Sequence, residues 1–458
     1  MMVFSSTLFL FYFLPIFLLL YYIVPFKFKN FILLIFSLLF YSWGEPTYIV
    51  LMIFSSIVDY SIGLIIDKYR YSYISKIGLI SSIFINIGLL SFFKYSDFLI
   101  LNINNIFNSN IELLNLPLPI GISFYTFQTM SYSIDVYRNE VPAQRNFLSF
   151  ATYVTLFPQL IAGPIVRYET VHKELNSRSI NIDMLYDGIT RFVIGLCKKI
   201  IIANNVGFIW TQIKSLPSNE ISALTAWLGI ICFSLQIYFD FSGYSDMAIG
   251  LGKMLGFNFL ENFDYPYISK SITEFWRRWH ISLGYWIRDY VYIPLGGNRK
   301  GKSRWVLNIF IVWFLTGLWH GASYNFIAWG LYFGILLMFE KLFLSKILEK
   351  MPNIFRHLYV ILIVIISWII FELSSLSSIY NYIGLMFNNN VFMDEIFLYY
   401  FIPNIILLCM AILSCTPIIK KILYRYEYLK ILFIIIGLIL CTSFLIDASF
   451  NPFLYFRF

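Results

Sequence analysis

The sequence is poor in charge. Charged residues occupy 13% of its 458 positions and hydrophobic residues 59%, about half the charged share of an ordinary soluble domain. A soluble core cannot absorb that much apolar surface, whereas lipid can; the mean hydropathy is +0.74. Cysteines are few (197, 232, 409, 415 and 441). They lie in or beside apolar runs with no C-x-x-C pair, and imply neither disulfide nor metal. There are four histidines, 172, 280, 320 and 357. The chain lacks a G-x-S-x-G elbow, an H-E-x-x-H pair and a Walker loop, which leaves hydrolase, zinc-protease and P-loop chemistry without a foothold. No tandem repeat or low-complexity linker divides it. It reads as a single integral domain, 1–458, of an all-α polytopic membrane bundle.

What is present is a succession of apolar runs near 5–24, 30–43, 47–66, 77–93, 119–137, 184–209, 222–243, 305–339, 357–373, 397–416 and 429–448. The first has no basic residue before it and no small-residue cleavage site after it, so it reads as a retained anchor and not a signal peptide. The net charge of +8 fits loops that face anionic lipid, and does not call for nucleic acid. Lys27 and Lys29 follow the first run, an acidic "SWGEP" the second, and Lys68, Arg70 and Lys76 the third. That alternation puts the N-terminus outside, and the same count carried along the chain puts the C-terminus outside as well. The stretch 147–166 is apolar yet basic at both ends, and it holds Pro158, Gly163 and Pro164. It is expected to be re-entrant, which requires walls of protein around a cavity. Both ends of 305–339 are expected inside, so this run is a hairpin with arms of about 16 residues, short for a bilayer.

Three constellations can carry chemistry. His320, in "LTGLWHGASYNFIAWG", is the histidine inside an apolar hairpin, between Gly317 and Gly321. A desolvated imidazole stays neutral and can act as a base, with the glycines leaving room for a substrate; a structural histidine bonded to a neighbouring helix reads equally from position. The basic, aromatic stretch 269–301 holds His280, Arg277, Arg278 and Arg288. The arginines can grip an anionic substrate, or the stretch can be a surface-lying amphipathic helix. "YFDFSGYSDMAIGLG" places Asp240, Ser242, Ser245 and Asp246 on an apolar helix, where capping or pairing with a base is as natural as catalysis.

The segments "EFWRRWHISLGYWIRDYVYIPLGGNRKG" and "LTGLWHGASYNFIAWG" resemble the membrane-bound O-acyltransferases, in particular the bacterial alginate O-acetyltransferase branch. "PIGISFYTFQTMSYSIDVYR", "FPQLIAGPIVRY" and "YFDFSGYSDMAIGLGKMLGF" extend the likeness over much of 119–330, and "YIPLGGNRKG" favours the acetylases over the D-alanyl transferases of teichoic acid. The resemblance implies about eleven spans plus re-entrant segments around a central funnel, in the bacterial cytoplasmic membrane. By motif His320 is the family's central histidine and His280 its second, with Arg277, Arg278, Arg288, Trp319, Asn325, Asp240 and Ser242 as substrate-binding candidates. No cofactor is implied; acetyl-CoA is the expected acyl-donor substrate. The implied partner is an exported SGNH-esterase-like transferase that passes the acetyl group to an extracytoplasmic polysaccharide, such as an alginate-like exopolysaccharide or peptidoglycan.

The chain's last residues, "NPFLYFRF" at 451–458, match the F-x-Y-x-x-F ending of some relatives through Phe453, Tyr455 and Phe458. That likeness suggests Tyr455 as an acyl carrier; an aromatic belt at the membrane interface is the other reading. D-alanyl transfer to a wall polymer and, from another class, a transporter or flippase are the alternative functions.

Overall fold

The computed structural model describes residues 2–161, 163–387, 391–447, 451–452 and 454. They form helices and connections, with no strand among the described residues, so the protein is all-α. Seven described helices are long and apolar enough to cross a membrane: Ile49–Lys68, Tyr73–Phe107, Ile182–Ser215, Ala223–Met254, Tyr324–Lys350, Asn353–Glu372 and Glu427–Asp447. Glu395–Phe401 and Ile405–Ser414, bent by 62°, make an eighth if the pair is one span. The stretch 147–166 is not one long helix. It forms Phe147–Thr155 and Phe157–Leu160, interrupted at Leu156, where ψ is 105°, and Pro158 sits in the first turn of the second, where its missing N–H costs nothing.

The chain divides into two compact units, Met1–Phe192 with Tyr244–Leu260, and Val193–Gly243 with Glu261–Phe458. In the first, buried Asp59 holds three helices together. Its Oδ1 accepts from the hydroxyls of Ser82 (2.5 Å) and Ser133 (3.1 Å), and its Oδ2 from the Asn86 amide (2.8 Å). A carboxyl among apolar helices survives only with such donors.

The second unit contains His280, His320, Arg277, Arg278, Arg288, Asp240 and Ser242. Its hairpin is Lys302–His320 and Tyr324–Phe339. The two arms approach closely because two glycines face each other's backbone: a Cβ on Gly317 would strike the carbonyl oxygen of Phe326, and one on Gly330 that of Trp313. A Cβ on Gly321 would meet the Phe326 ring. The sequence suggested that Gly317 and Gly321 clear space for a substrate; the space they clear is filled by the second arm of the hairpin.

The helix Ile272–Arg278 starts on a capping sequence, Ser271-Ile-Thr-Glu274. Ser271 Oγ accepts the Glu274 amide at 3.0 Å, and the Glu274 carboxylate accepts the Lys270 amide at 2.9 Å. Glu340, buried at the end of the hairpin's second arm, completes the cap. It accepts the amides of Ile272 (2.6 Å) and Thr273 (2.9 Å) and the Thr273 hydroxyl (2.5 Å). These bonds take up amides that a helix start leaves without partners and lock Ile272–Arg278 onto the hairpin.

Candidate active site

His320 is the last residue of Lys302–His320, and Gly321 leaves the helix in an extended conformation. The imidazole is 7% exposed. Its ring centroid lies 5.0 Å from Trp319, 4.9 Å from Trp329 and 5.3 Å from Phe371, each pair edge-on.

His280 stands between the short helices Ile272–Arg278 and Ile281–Ile287, outside the long apolar spans. Its backbone is left-handed (φ 45°, ψ 54°), unusual for a residue with a side chain, and such strain persists only where the surroundings enforce it. Asn262 supplies much of that enforcement. Its carbonyl accepts the Ile281 amide at 2.9 Å. Its side-chain Oδ1 accepts the Ser282 amide (3.2 Å) and hydroxyl (2.8 Å), and lies 3.2 Å from His280 Nδ1.

This network assigns the tautomer. An atom that accepts a backbone N–H is the oxygen of the Asn262 amide, so His280 Nδ1 must be the donor and Nε2 carries the lone pair. Nε2 is buried without a hydrogen-bond partner among the described residues. Burial pushes the imidazole down to about 3, which keeps the ring neutral, with the Nε2 lone pair free to accept a hydrogen bond but only weakly basic.

The two histidines, forty positions apart in the chain, meet through one ring: Trp319 is 5.7 Å from His280 and 5.0 Å from His320. His280 also lines a cavity of about 170 Å³ with Trp276, Trp279, Arg288 and Thr316. A neighbouring cavity of about 240 Å³ shares the walls Trp276, Tyr292, Val312 and Trp313 and adds two cations, Arg277 and Lys341. His320 and Trp319 belong to neither wall.

The three arginines separate. Arg277 lines the larger cavity. Arg288 lines the smaller one, pairs with Asp289 at 2.6 Å and covers the Tyr285 ring at 4.7 Å. Arg278 is committed to Asp264 (2.8 Å) and Glu274 (3.0 Å) and lines neither. Asn325 donates to the carbonyls of Phe371 (2.9 Å) and Ile370 (3.3 Å), tying the hairpin to the end of Asn353–Glu372. Asp240 pairs with Lys199 at 2.5 Å and accepts the Leu454 amide at 2.8 Å. Ser242 is buried and, with Asp240, stands apart from both cavity walls. Tyr455 lies outside the described residues.

Sequence reasoning missed Asn262, Trp276, Tyr292 and Lys341. Trp276 and Tyr292 carried a signal, inside the quoted basic, aromatic segment 269–301; Asn262 and Lys341 are brought to the site by folding.

Residues 38–383 match the membrane-bound O-acyltransferase family. The chain is 44% identical over 392 residues to a probable alginate O-acetylase, AlgI, of Pseudomonas syringae pv. tomato, covering 84% of this chain and 75% of that one. It is 35% identical over 412 residues to the peptidoglycan O-acetyltransferase of Helicobacter pylori, covering 82% and 78%. A teichoic acid D-alanyltransferase of Bacillus subtilis is 33% identical over 239 residues, covering 48% and 60%. With the apolar helices and the two buried histidines, these likenesses make the chain a member of the membrane-bound O-acyltransferase family and an O-acyltransferase enzyme of the membrane.

Proposed function

We propose that this enzyme moves an acetyl group from cytoplasmic acetyl-CoA across the bacterial cytoplasmic membrane for O-acetylation of an extracytoplasmic polysaccharide, through an exported SGNH-esterase-like partner. The observation that carries the reading is the pair of adjoining cavities, cationic at Arg277 and Lys341 and reaching His280, whose ring shares Trp319 with His320. Arg277 and Lys341 suit the phosphates of the donor. The aromatic walls suit its apolar parts, and the Trp276 Nε1–H, buried without a partner among the described residues, can donate to the thioester carbonyl oxygen.

His320 acts as the base in this reading. It takes the phenolic proton of Tyr455 as the oxygen attacks the thioester carbonyl; the C–S bond breaks, the imidazolium returns the proton to the departing sulfur, and coenzyme A leaves as the thiol. The acetyl-tyrosine ester then passes its acyl group to a hydroxyl of the partner. Desolvation makes an imidazole a usable base for a phenol whose ordinary pKa is about 10 only if proton transfer and attack are concerted. His280, neutral and with Nε2 bare, orients the donor on its approach. The acetylases among the relatives favour acetyl over D-alanyl as the group moved. N- and C-termini lie outside, as the loop charges require.

Purified protein given labelled acetyl-CoA tests the base: His320→Ala is expected to abolish transfer of label. Tyr455→Phe keeps the ring and removes the hydroxyl; glycan acetylation at the wild-type level in that variant would sink the carrier step.

A further inference from the structure

We propose that Lys199 and Asp240 form a clasp that holds Pro452 and Leu454, with Leu454 in the apolar core of the second unit, and that their part in acyl transfer is to position this part of the chain. The sequence suggested Asp240 as a substrate-binding residue. Its carboxylate is already engaged: Oδ1 faces Lys199 Nζ at 2.5 Å and Oδ2 accepts the Leu454 amide at 2.8 Å. Lys199 in turn donates to the carbonyl oxygen of Pro452. Asn204 adds a third hold, its Nδ2 donating to Asn451 Oδ1 at 3.1 Å.

Two of these three contacts grip main-chain atoms, so they fix the path of the segment whatever its side chains do. Both charged side chains are only 3% exposed. Charges withdrawn this far from water among apolar helices are costly, and pairing alone rarely repays the cost. A role in specifying one geometry accounts for keeping them. The local helix supports the same role. Lys198–Ala203 is a π-helical segment, a distortion frequent at functional positions. Leu454 is buried in the same apolar cluster as Trp329 and Phe371, the rings that touch His320.

The functional consequence rests on the reading of Tyr455 given above, since Tyr455 follows Leu454 directly. The seating itself does not. Amide hydrogen exchange on the full chain in detergent separates the two. Lys199→Met combined with Asp240→Asn removes the pair without stranding a charge. The double variant is expected to raise exchange of the peptide containing Leu454 by about tenfold or more, the loss anticipated for a charge-assisted bond, while peptides of Lys302–His320 exchange as before. Lys199→Arg is expected to keep the protection. Acyl transfer in the double variant should fall in kcat with the KM for acetyl-CoA unchanged. Equal exchange at Leu454 in wild type and double variant overturns the clasp, as does an equal rise throughout Lys302–His320. If exchange rises at Leu454 while kcat is unaffected, the clasp stands as a seat and its role in transfer is overturned. A Tyr455→Phe enzyme that still acetylates bears on the carrier step alone.

Discussion

The indole of Trp319 stands 5.7 Å from the imidazole of His280, tilted by 65°. The same ring meets His320 at 5.0 Å, tilted by 77°. One ring therefore touches both histidines. Trp319→Ala is expected to lower kcat by about 10–100-fold, because displacement of a reacting group by an ångström has that scale of effect. Trp319→Phe should retain most of the activity, since it keeps an aromatic face between the two. Turnover of labelled donor by the purified variants measures this; equal losses in both would show that the indole N–H matters and the spacing does not.

Asn262 holds the His280 tautomer, and its removal should be felt as chemistry before it is felt as instability. Asn262→Ala frees Nδ1 and Nε2 to exchange the proton, and a lost orienting partner of a histidine typically costs about 10–100-fold. Asn262→Asp keeps an acceptor and adds a negative charge beside Nδ1. The imidazolium is then favoured, and the acid limb of the pH–rate profile should move to higher pH. An unshifted limb would remove His280 from the rate-determining proton balance.

The buried His280 also makes folding sensitive to acid. A histidine in the unfolded chain titrates near 6.5, and in the folded chain burial pushes it down to about 3. Between those values the unfolded state binds a proton that the folded state refuses, so stability rises with pH across that window and is lost as pH falls below 6.5. Thermal unfolding in detergent should therefore show a larger drop from about pH 7 to about pH 5 in wild type than in His280→Gln. Identical pH slopes would assign the acid sensitivity to another group.

Glu340 caps Ile272–Arg278 through two amides and a hydroxyl, so Glu340→Ala strands one buried donor and two half-buried ones. The expected loss is roughly 2–4 kcal/mol, at one to three per stranded group with partial relaxation. Because Trp276 and Arg277 lie on the capped helix, donor KM should rise together with the drop in melting temperature. Glu340→Gln keeps one acceptor and should fall between the two. A fall in melting temperature with unchanged KM would separate the cap from the cavity.

Gly330→Ala is expected to push apart the arms of the hairpin, since the new methyl meets the Trp313 carbonyl. Overpacking of this kind costs about 1–3 kcal/mol. Here it also shifts Trp313, a wall of both cavities. The melting temperature and the donor KM of the purified variant read the two effects separately.

The membrane, the all-α class, the hairpin around His320 and the family itself were legible in the sequence. Apolar run length, loop charge and local motif are properties of contiguous residues, and lipid leaves them few structural alternatives. The sequence also marked His320, His280, Arg277 and Arg288 as residues to watch. Only folding decided that Trp319 joins the two histidines, that Asn262 fixes a tautomer eighteen positions away, that Arg278 is spent on Asp264 and Glu274, and that Asp240 holds Lys199 and the chain beyond it. The physical reason is that a helix fixes the neighbours of a residue three or four positions away. Which distant donor meets which acceptor depends instead on how helices pack, and polar groups buried in that packing accept whichever partner satisfies them.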